Sequence, residues 1–234
     1  RPLPDSFFVC GPAGERLLRA DEVRQSIQQV GPQRHASMLR YMRNRPNRNE
    51  IRRSLGLSPG DQVLLVGIAI VEAETAALLD AVYEACCATG HRVLVRTHPN
   101  RPRSGEAVAA SLARWEEGRA RILSGGSLYE QLDAADAAVM IGSTAAFEAM
   151  ALGTMPIIFE FRGTYPATSL REYEDGLYTA ADALELRAAL DEISAPLAEG
   201  ALRRAAAWPR LVEDVFGDLQ GSLAAQFSAA VDNM

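Results

Sequence analysis

From Leu55 onward the chain alternates short, unbroken apolar runs with longer amphipathic stretches. Residues 63–70 are continuously apolar after the turn Ser58-Pro59-Gly60-Asp61, the pattern of a central parallel strand buried on both faces. Residues 72–89 place Ala77, Leu78, Ala81, Val82 and Ala85 at helical spacing, which predicts an amphipathic helix closed by Gly90. Residues 91–96 read as the next strand, 106–115 as a helix, 121–123 as a third strand and 128–135 as a short helix. Residues 139–141 and 156–159 read as strands on either side of a helix that Gly153 closes. This β-α-β-α-β-α-β-α-β succession predicts the α/β class, as a doubly wound parallel sheet with right-handed crossovers. Helices at 181–193 and beyond 199 complete the pattern.

The first fifty residues are less regular. Residues 6–10 read as a strand, Gly11-Pro12 breaks it, 13–20 form a helix, and 27–30 a second strand stopped by Gly31-Pro32. Residues 40–53 are rich in Arg and Asn around Pro46 and read as an exposed connection with solvated arginines. The division that follows is 1–53 as a first segment and linker, 54–195 as the α/β domain and 196–234 as C-terminal helices. The length suits one large or two small domains.

Composition narrows the chemistry. The hydrophobic fraction of 48% supports a sizeable core, and a net charge of -6 gives no electrostatic footprint for nucleic acid or an anionic membrane. All 24 Lys and Arg positions are arginine, as codon bias would produce. Schiff-base and Walker-type lysine chemistry are thereby excluded, and any phosphate clamp must be Arg, His or a helix N-terminus. Cys10, Cys86 and Cys87 lack metal-ligand spacing, and reduced thiols in the cytoplasm are the expectation. No apolar run reaches the roughly 20 residues that span a bilayer. The chain starts at Arg1 without an initiator Met, as a fragment or processed chain would.

Three polar constellations follow strands, where open α/β sheets bind ligands. Arg96-Thr97-His98-Pro99-Asn100-Arg101 sets a histidine between arginines, suited to gripping a phosphate and offsetting charge on a departing nucleotide. A polar turn made by Pro99 is the plainer reading. Ser143-Thr144 opens the helix that holds Glu148, where N–H groups and the helix dipole suit an anion. Simple capping is compatible with that use. Glu148 is either a partner for ribose hydroxyls or an exposed helix position. Ser124-Gly125-Gly126-Ser127 lets a planar base approach closely, or is a strand-to-helix turn capped by Ser127. Gly67 gives a ligand room or marks a packing point. Gly11-Pro12-Ala13-Gly14 reads as an ordinary turn, His35 and His91 as surface residues, and Trp115 and Trp208 as packing residues. Glu174-Asp175-Gly176 reads as a loop turn.

Gly142-Ser143-Thr144-Ala145-Ala146-Phe147-Glu148-Ala149, with Gly153 and Pro156-Ile157-Ile158, resembles the donor-binding half of GT-B glycosyltransferases, which is Rossmann-like. His98-Pro99 after a strand resembles the His-Pro motif of bacterial sialyltransferases, polysialyltransferases, Kdo transferases and CDP-glycerol-using teichoic acid polymerases. The resemblance spans roughly residues 63–190. It implies that His98 and Ser143-Thr144 hold the donor phosphate, that Glu148 meets the ribose, and that 128–132 lie near the base. It further implies an inverting, metal-independent transferase of surface polysaccharide or glycoconjugate synthesis, using no cofactor beyond a CMP- or CDP-linked donor, with UDP as alternative. Residues 5–31 look like the last strand-helix-strand of the partner domain, most of which is missing. The catalytic base is therefore unknown, and the missing domain or a homodimer would complete the site. The Asp/Glu-Asp/Glu-Gly motif of sialyltransferases precedes His-Pro, whereas Glu174-Asp175-Gly176 follows it. Expected partners are a nucleotide-sugar and a glycan acceptor, in the cytoplasm or peripherally at the inner face of the membrane. Competing readings are a UDP-sugar 2-epimerase of the same fold and a non-catalytic nucleotide-sugar-binding module.

Overall fold

A computed structural model describes residues 6–31, 35–69, 71–98, 105–123, 125–161, 172–196 and 198–219. The chain divides into two compact units, Arg1–Arg45 with Trp208–Met234, and Pro46–Ala207. In the smaller unit, β1 (Ser6–Val9), α1 (Pro12–Ala20) and β2 (Ser26–Gln29) form a βαβ turn, with β1 and β2 paired in parallel from Ser6 opposite Ser26. Pro12 sits in the first turn of α1, where its fixed φ suits a helix and its missing N–H costs nothing. The expected Gly11-Pro12-Ala13-Gly14 turn is thus a helix start. The backbone of Gly217 and Asp214 lies so close to Gly11 that a Cβ there would come within 2.6 Å of the Gly217 nitrogen. Beside this contact Arg16 grips Asp214 through two hydrogen bonds of 2.5 and 2.6 Å. Helix α2 (Ala36–Arg43) buries Met38 and Leu39.

The larger unit runs α3 (Arg48–Ser54), β3 (Val63–Gly67), α4 (Glu72–Cys86), β4 (Arg92–Arg96), α5 (Gly105–Leu112), β5 (Ala120–Leu123), α6 (Leu128–Ala134), β6 (Ala137–Met140), α7 (Ala145–Leu152), β7 (Met155–Phe159), β8 (Tyr178–Ala180) and α8 (Ala183–Ser194). Helix α9 (Glu199–Phe216) begins in this unit and carries Pro209 in its interior. The sheet is parallel throughout, in the order β5-β4-β3-β6-β7-β8. Its middle strands β3, β6 and β7 are buried almost end to end. Leu64, Leu94, Val95, Val139, Ile157 and Ile158 are at most 1% exposed, each contributing about 1.5–3 kcal/mol of apolar burial. Helix α4 packs against α5 and α8, while α6 packs against α3 and α7.

The doubly wound sheet expected from the apolar pattern is present, with shifts at element ends. Residues 40–53 are largely exposed, as expected, but they are helical rather than an open connection. They hold the end of α2 and most of α3, which Asn47 caps by accepting the Asn49 N–H at 2.9 Å. Pro46 therefore precedes a helix start. Helix α4 ends at Cys86 with Cys87 as its cap, so Gly90 belongs to the following loop, and Ala77, expected on the apolar face, is exposed. Strand β8 carries too short a run to be legible beforehand. The expected cap by Gly153 is present, at φ 85°, in the left-handed region open to glycine. Trp115 packs edge-on to Tyr83 at 5.2 Å, as a packing residue should. Cys10, Cys86 and Cys87 are free thiols, and burial pushes Cys86 up to about 12, leaving it inert.

Two residues expected at the surface are instead buried. Arg52 is 4% exposed. Its Nε donates to the Ala134 carbonyl at 2.9 Å, Nη1 to the Pro59 and Asp61 carbonyls at 2.7 and 3.0 Å, and Nη2 to both Asp136 oxygens at 2.9 Å. Asp136 also accepts the Val63 N–H at 2.8 Å and a bond from Arg48 at 2.9 Å. His91, 4% exposed, bonds Thr89 Oγ1 at 2.8 Å through Nδ1 and meets Ser194 Oγ at 3.5 Å through Nε2. Burial holds its pKa below the usual 6.5.

Replacing Arg52 with Met should lower unfolding free energy by about 3 kcal/mol, the lower range for breaking a buried pair, since Asp136 keeps some solvent access. An unchanged urea midpoint would contradict this. For His91 the folded pKa lies below the unfolded one, so the unfolded chain binds the proton first as pH falls. Its contribution is complete above about pH 6.5 and is lost as pH drops through the folded value. The urea midpoint of the wild type should therefore decline more steeply between pH 7 and 5 than that of His91→Gln. Equal slopes would refute it.

Candidate functional site

Strands β3 and β6 are neighbours in the sheet, and the chain leaves their carboxyl ends in opposite directions. Such a switch point opens a crevice at the sheet edge. A cavity of about 650 Å³ lies there, within the usual range for small-molecule sites. Leu65, Ile68, Leu128, Leu132, Ala138 and Met140 supply much of its apolar lining. Its polar groups come from four places: Arg96, Thr97 and His98 at the end of β4, Ser143 and Thr144 after β6, Glu148 in α7 and Glu74 in α4.

Each element presents its groups for a local reason. Thr144 is the residue before α7, but the hydrogen bond at this end is made by its neighbour. The Ser143 hydroxyl accepts the Ala145 N–H at 3.2 Å, and the Ser143 and Thr144 carbonyls accept the next two N–H groups at 3.1 Å. Gly142 turns the chain into the helix at φ 50°, a conformation that favours glycine. One turn in, Glu148 is buried, which removes the exposed-position reading. At Gly67 a Cβ would meet Met140 Cβ at an ordinary 3.5 Å. Packing therefore does not demand glycine there, and its smallness leaves cavity space.

Arg96 is anchored rather than free to swing. Its Nη1 donates to Gln131 Oε1 at 2.6 Å and to the Gly126 carbonyl at 3.3 Å. Gln131, 2% exposed, passes the contact on by donating from Nε2 to the Gly125 carbonyl at 2.7 Å. Burial pushes the Arg96 guanidinium below its ordinary value, and the Glu148 carboxylate opposes that shift. Arg96 nevertheless stays cationic at any physiological pH.

Of the residues picked from sequence, Gly67, Arg96, His98, Ser143, Thr144 and Glu148 line this one cavity. Gly125 does not; at φ 99° it shapes the β5–α6 turn and offers its carbonyl to Gln131. Ser127 caps α6 as expected, accepting the Tyr129 N–H at 3.2 Å. Pro99 and Ser124 lie outside the described residues. Gln131 and Glu74 were missed. Gln131 sits in a short helix without a motif, and Glu74 reads as one more acidic residue in a first turn. The one signal for Glu74 was its position just after an apolar strand.

No protein-family model and no curated protein sequence matches this chain. Solved structures do. The Anabaena protein Alr3699/HepE, in complex with UDP and glucose, is 12% identical, with 99% of this chain and 64% of that chain covered, at a TM-score of 0.62. The wall teichoic acid polymerase TagF, soaked with CDPG, is 15% identical, with 97% and 55% covered, at 0.61. A putative UDP-N-acetylglucosamine 2-epimerase from Listeria monocytogenes is 17% identical, with 94% and 56% covered, at 0.65. At these identities the likeness is one of fold, the Rossmann-like α/β fold of GT-B proteins. The chain spans 64% and 55% of the first two of these structures.

Gln131→Leu should cost about 2 kcal/mol of stability, because it strips a hydrogen bond from the Arg96 guanidinium and from the Gly125 carbonyl together. A denaturant midpoint within experimental error of wild type would show that the network is dispensable.

Proposed function

We propose that residues 46–207 bind a nucleotide-sugar and that the chain is the donor-binding half of a glycosyltransferase of surface polysaccharide or glycoconjugate synthesis. The observation that carries this reading is convergence. Six residues chosen for their chemistry, from strand ends far apart in sequence, line one cavity at the switch point. In this reading the donor phosphate lies against the start of α7, where the helix dipole favours negative charge. His98 and Arg96 face that charge. The Glu148 carboxylate accepts hydrogen bonds from the ribose hydroxyls, and the base lies near Leu128 and Leu132.

The reaction is an inverting displacement without a metal. The acceptor hydroxyl attacks the anomeric carbon, the bond to the phosphate oxygen breaks, and the nucleotide leaves with the bonding electrons. His98 and the α7 N-terminus offset that charge. The acceptor proton passes to a base supplied by the acceptor-binding half of such an enzyme, or by a second copy. The His-Pro pattern favours CMP- or CDP-linked donors, and UDP is the alternative that the UDP complex of HepE supports. No helix among the described residues is long and apolar enough to cross a membrane. The proposed place of work is the cytoplasm, with the glycan acceptor met at the inner face of the membrane. A second reading, a UDP-sugar 2-epimerase, is favoured by the Listeria structure.

Calorimetric titration with CMP, CDP, UDP and GDP tests the reading. One pyrimidine nucleotide should bind, and His98→Ala should weaken it tenfold or more, as loss of a charge-assisted hydrogen bond of about 1.5–3 kcal/mol requires. Unchanged affinity in the variant would remove His98 from the site, and binding of no nucleotide would overturn the reading. Turnover of UDP-N-acetylglucosamine without an acceptor would select the epimerase.

A further inference from the structure

Glu74 stands apart from the other charged groups of the cavity. It lies in the first turn of α4, half-buried, and lines the cavity with His98 and Thr144. The start of that helix is tied to the chain leaving β3. Thr75 donates from its N–H to the Val71 carbonyl at 3.0 Å and from Oγ1 to the Ala69 carbonyl at 3.2 Å. The residue before it is thereby held in place. Among the described residues the Glu74 side chain makes no hydrogen bond and no ion pair. Glu148 differs, since it is buried and its carboxylate acts on Arg96. Helix α4, which carries Glu74, packs with α5 and α8, whereas α7, which carries Glu148, packs with α6, so the two carboxylates enter the cavity from different groups of helices.

An ionised carboxylate accepts hydrogen bonds and donates none. In a partly enclosed cavity it favours a group rich in hydroxyl donors and penalises a second anion. Like-charge juxtaposition of this kind is an effective way to reject a near-isosteric competitor. If Glu148 takes the ribose and the start of α7 the phosphates, the Glu74 part of the cavity takes what lies beyond the phosphates.

We infer that Glu74 is a specificity-determining residue that selects a neutral, hydroxyl-rich sugar or polyol on the nucleotide and rejects a sugar bearing a carboxylate. This inference rests on the nucleotide-sugar reading of the cavity. It also narrows that reading, because it disfavours the acidic sugars that sialyltransferases and Kdo transferases carry.

UDP-glucose and UDP-glucuronate differ only in the oxidation state of C6, and they make the test direct. Their affinities would be measured on the full chain by calorimetry, with UDP as reference, and with the corresponding cytidine pair if CDP binds in preference. Wild type should favour the neutral sugar by at least tenfold. Glu74→Gln should bring the two within about threefold of each other while UDP affinity stays within twofold, and Glu74→Arg should reverse the preference. A neutral-to-acidic ratio that is the same in all three proteins would overturn the role of Glu74. Absence of any UDP or CDP binding would instead overturn the nucleotide-sugar reading itself.

Discussion

All five N–H groups of Arg52 are engaged at the amino edge of the parallel sheet, and the rest of the larger unit depends on where they point. They join α3 to the carbonyls of Pro59, Asp61 and Ala134 and to both oxygens of Asp136. Asp136 in turn receives the N–H of Val63, the first residue of β3, and stands immediately before β6. One ion pair, buried on the arginine side, therefore links the beginnings of the two strands that flank the switch point. A buried guanidinium is tolerable only when every donor is met, and here each one is.

What is joined at one edge is delivered at the other. With β3 and β6 in register from Leu64 opposite Ala137 to Gly67 opposite Met140, the clamp sets which residues reach the cavity about 15 Å away, at roughly 3.3 Å per residue. A slip of one residue would turn the alternate side chains inward and move Gly67 away from Met140. The clamp is thus a condition of the site as well as of the fold.

The cavity itself is an apolar enclosure with charge introduced at chosen points. Arg96 is held by Gln131 and the Gly126 carbonyl, which leaves its position to the protein rather than to a ligand. The helix start at Ser143 has its N–H groups at Ala145, Ala146 and Phe147 engaged locally, so an anion there would be favoured by the helix dipole. With no lysine in the chain, the cationic contribution falls to arginine and histidine, whose planar groups fix direction as well as charge.

The sequence alone determined the features that depend on residues within a turn or two of one another. These include the apolar strands read at 63–70 and 156–159, of which 63–67 and 155–159 are strand, the helix closed by Gly153, the cap at Ser127 and the polar clusters after β4 and β6. Periodicity and capping are local, so a single chain displays them. What tertiary structure decided involves partners far apart. Arg52 and Asp136 are 84 residues apart, and one arginine of an otherwise solvated stretch is buried where that carboxylate arrives beside it. The buried His91 meets Ser194, 103 residues on. Gln131 meets Arg96 only because β4 lies beside the β5–α6 turn, and Glu74 enters the cavity only because α4 starts at the central strand. Strand order carries these meetings, and no local pattern of apolar and polar residues encodes which strand neighbours which.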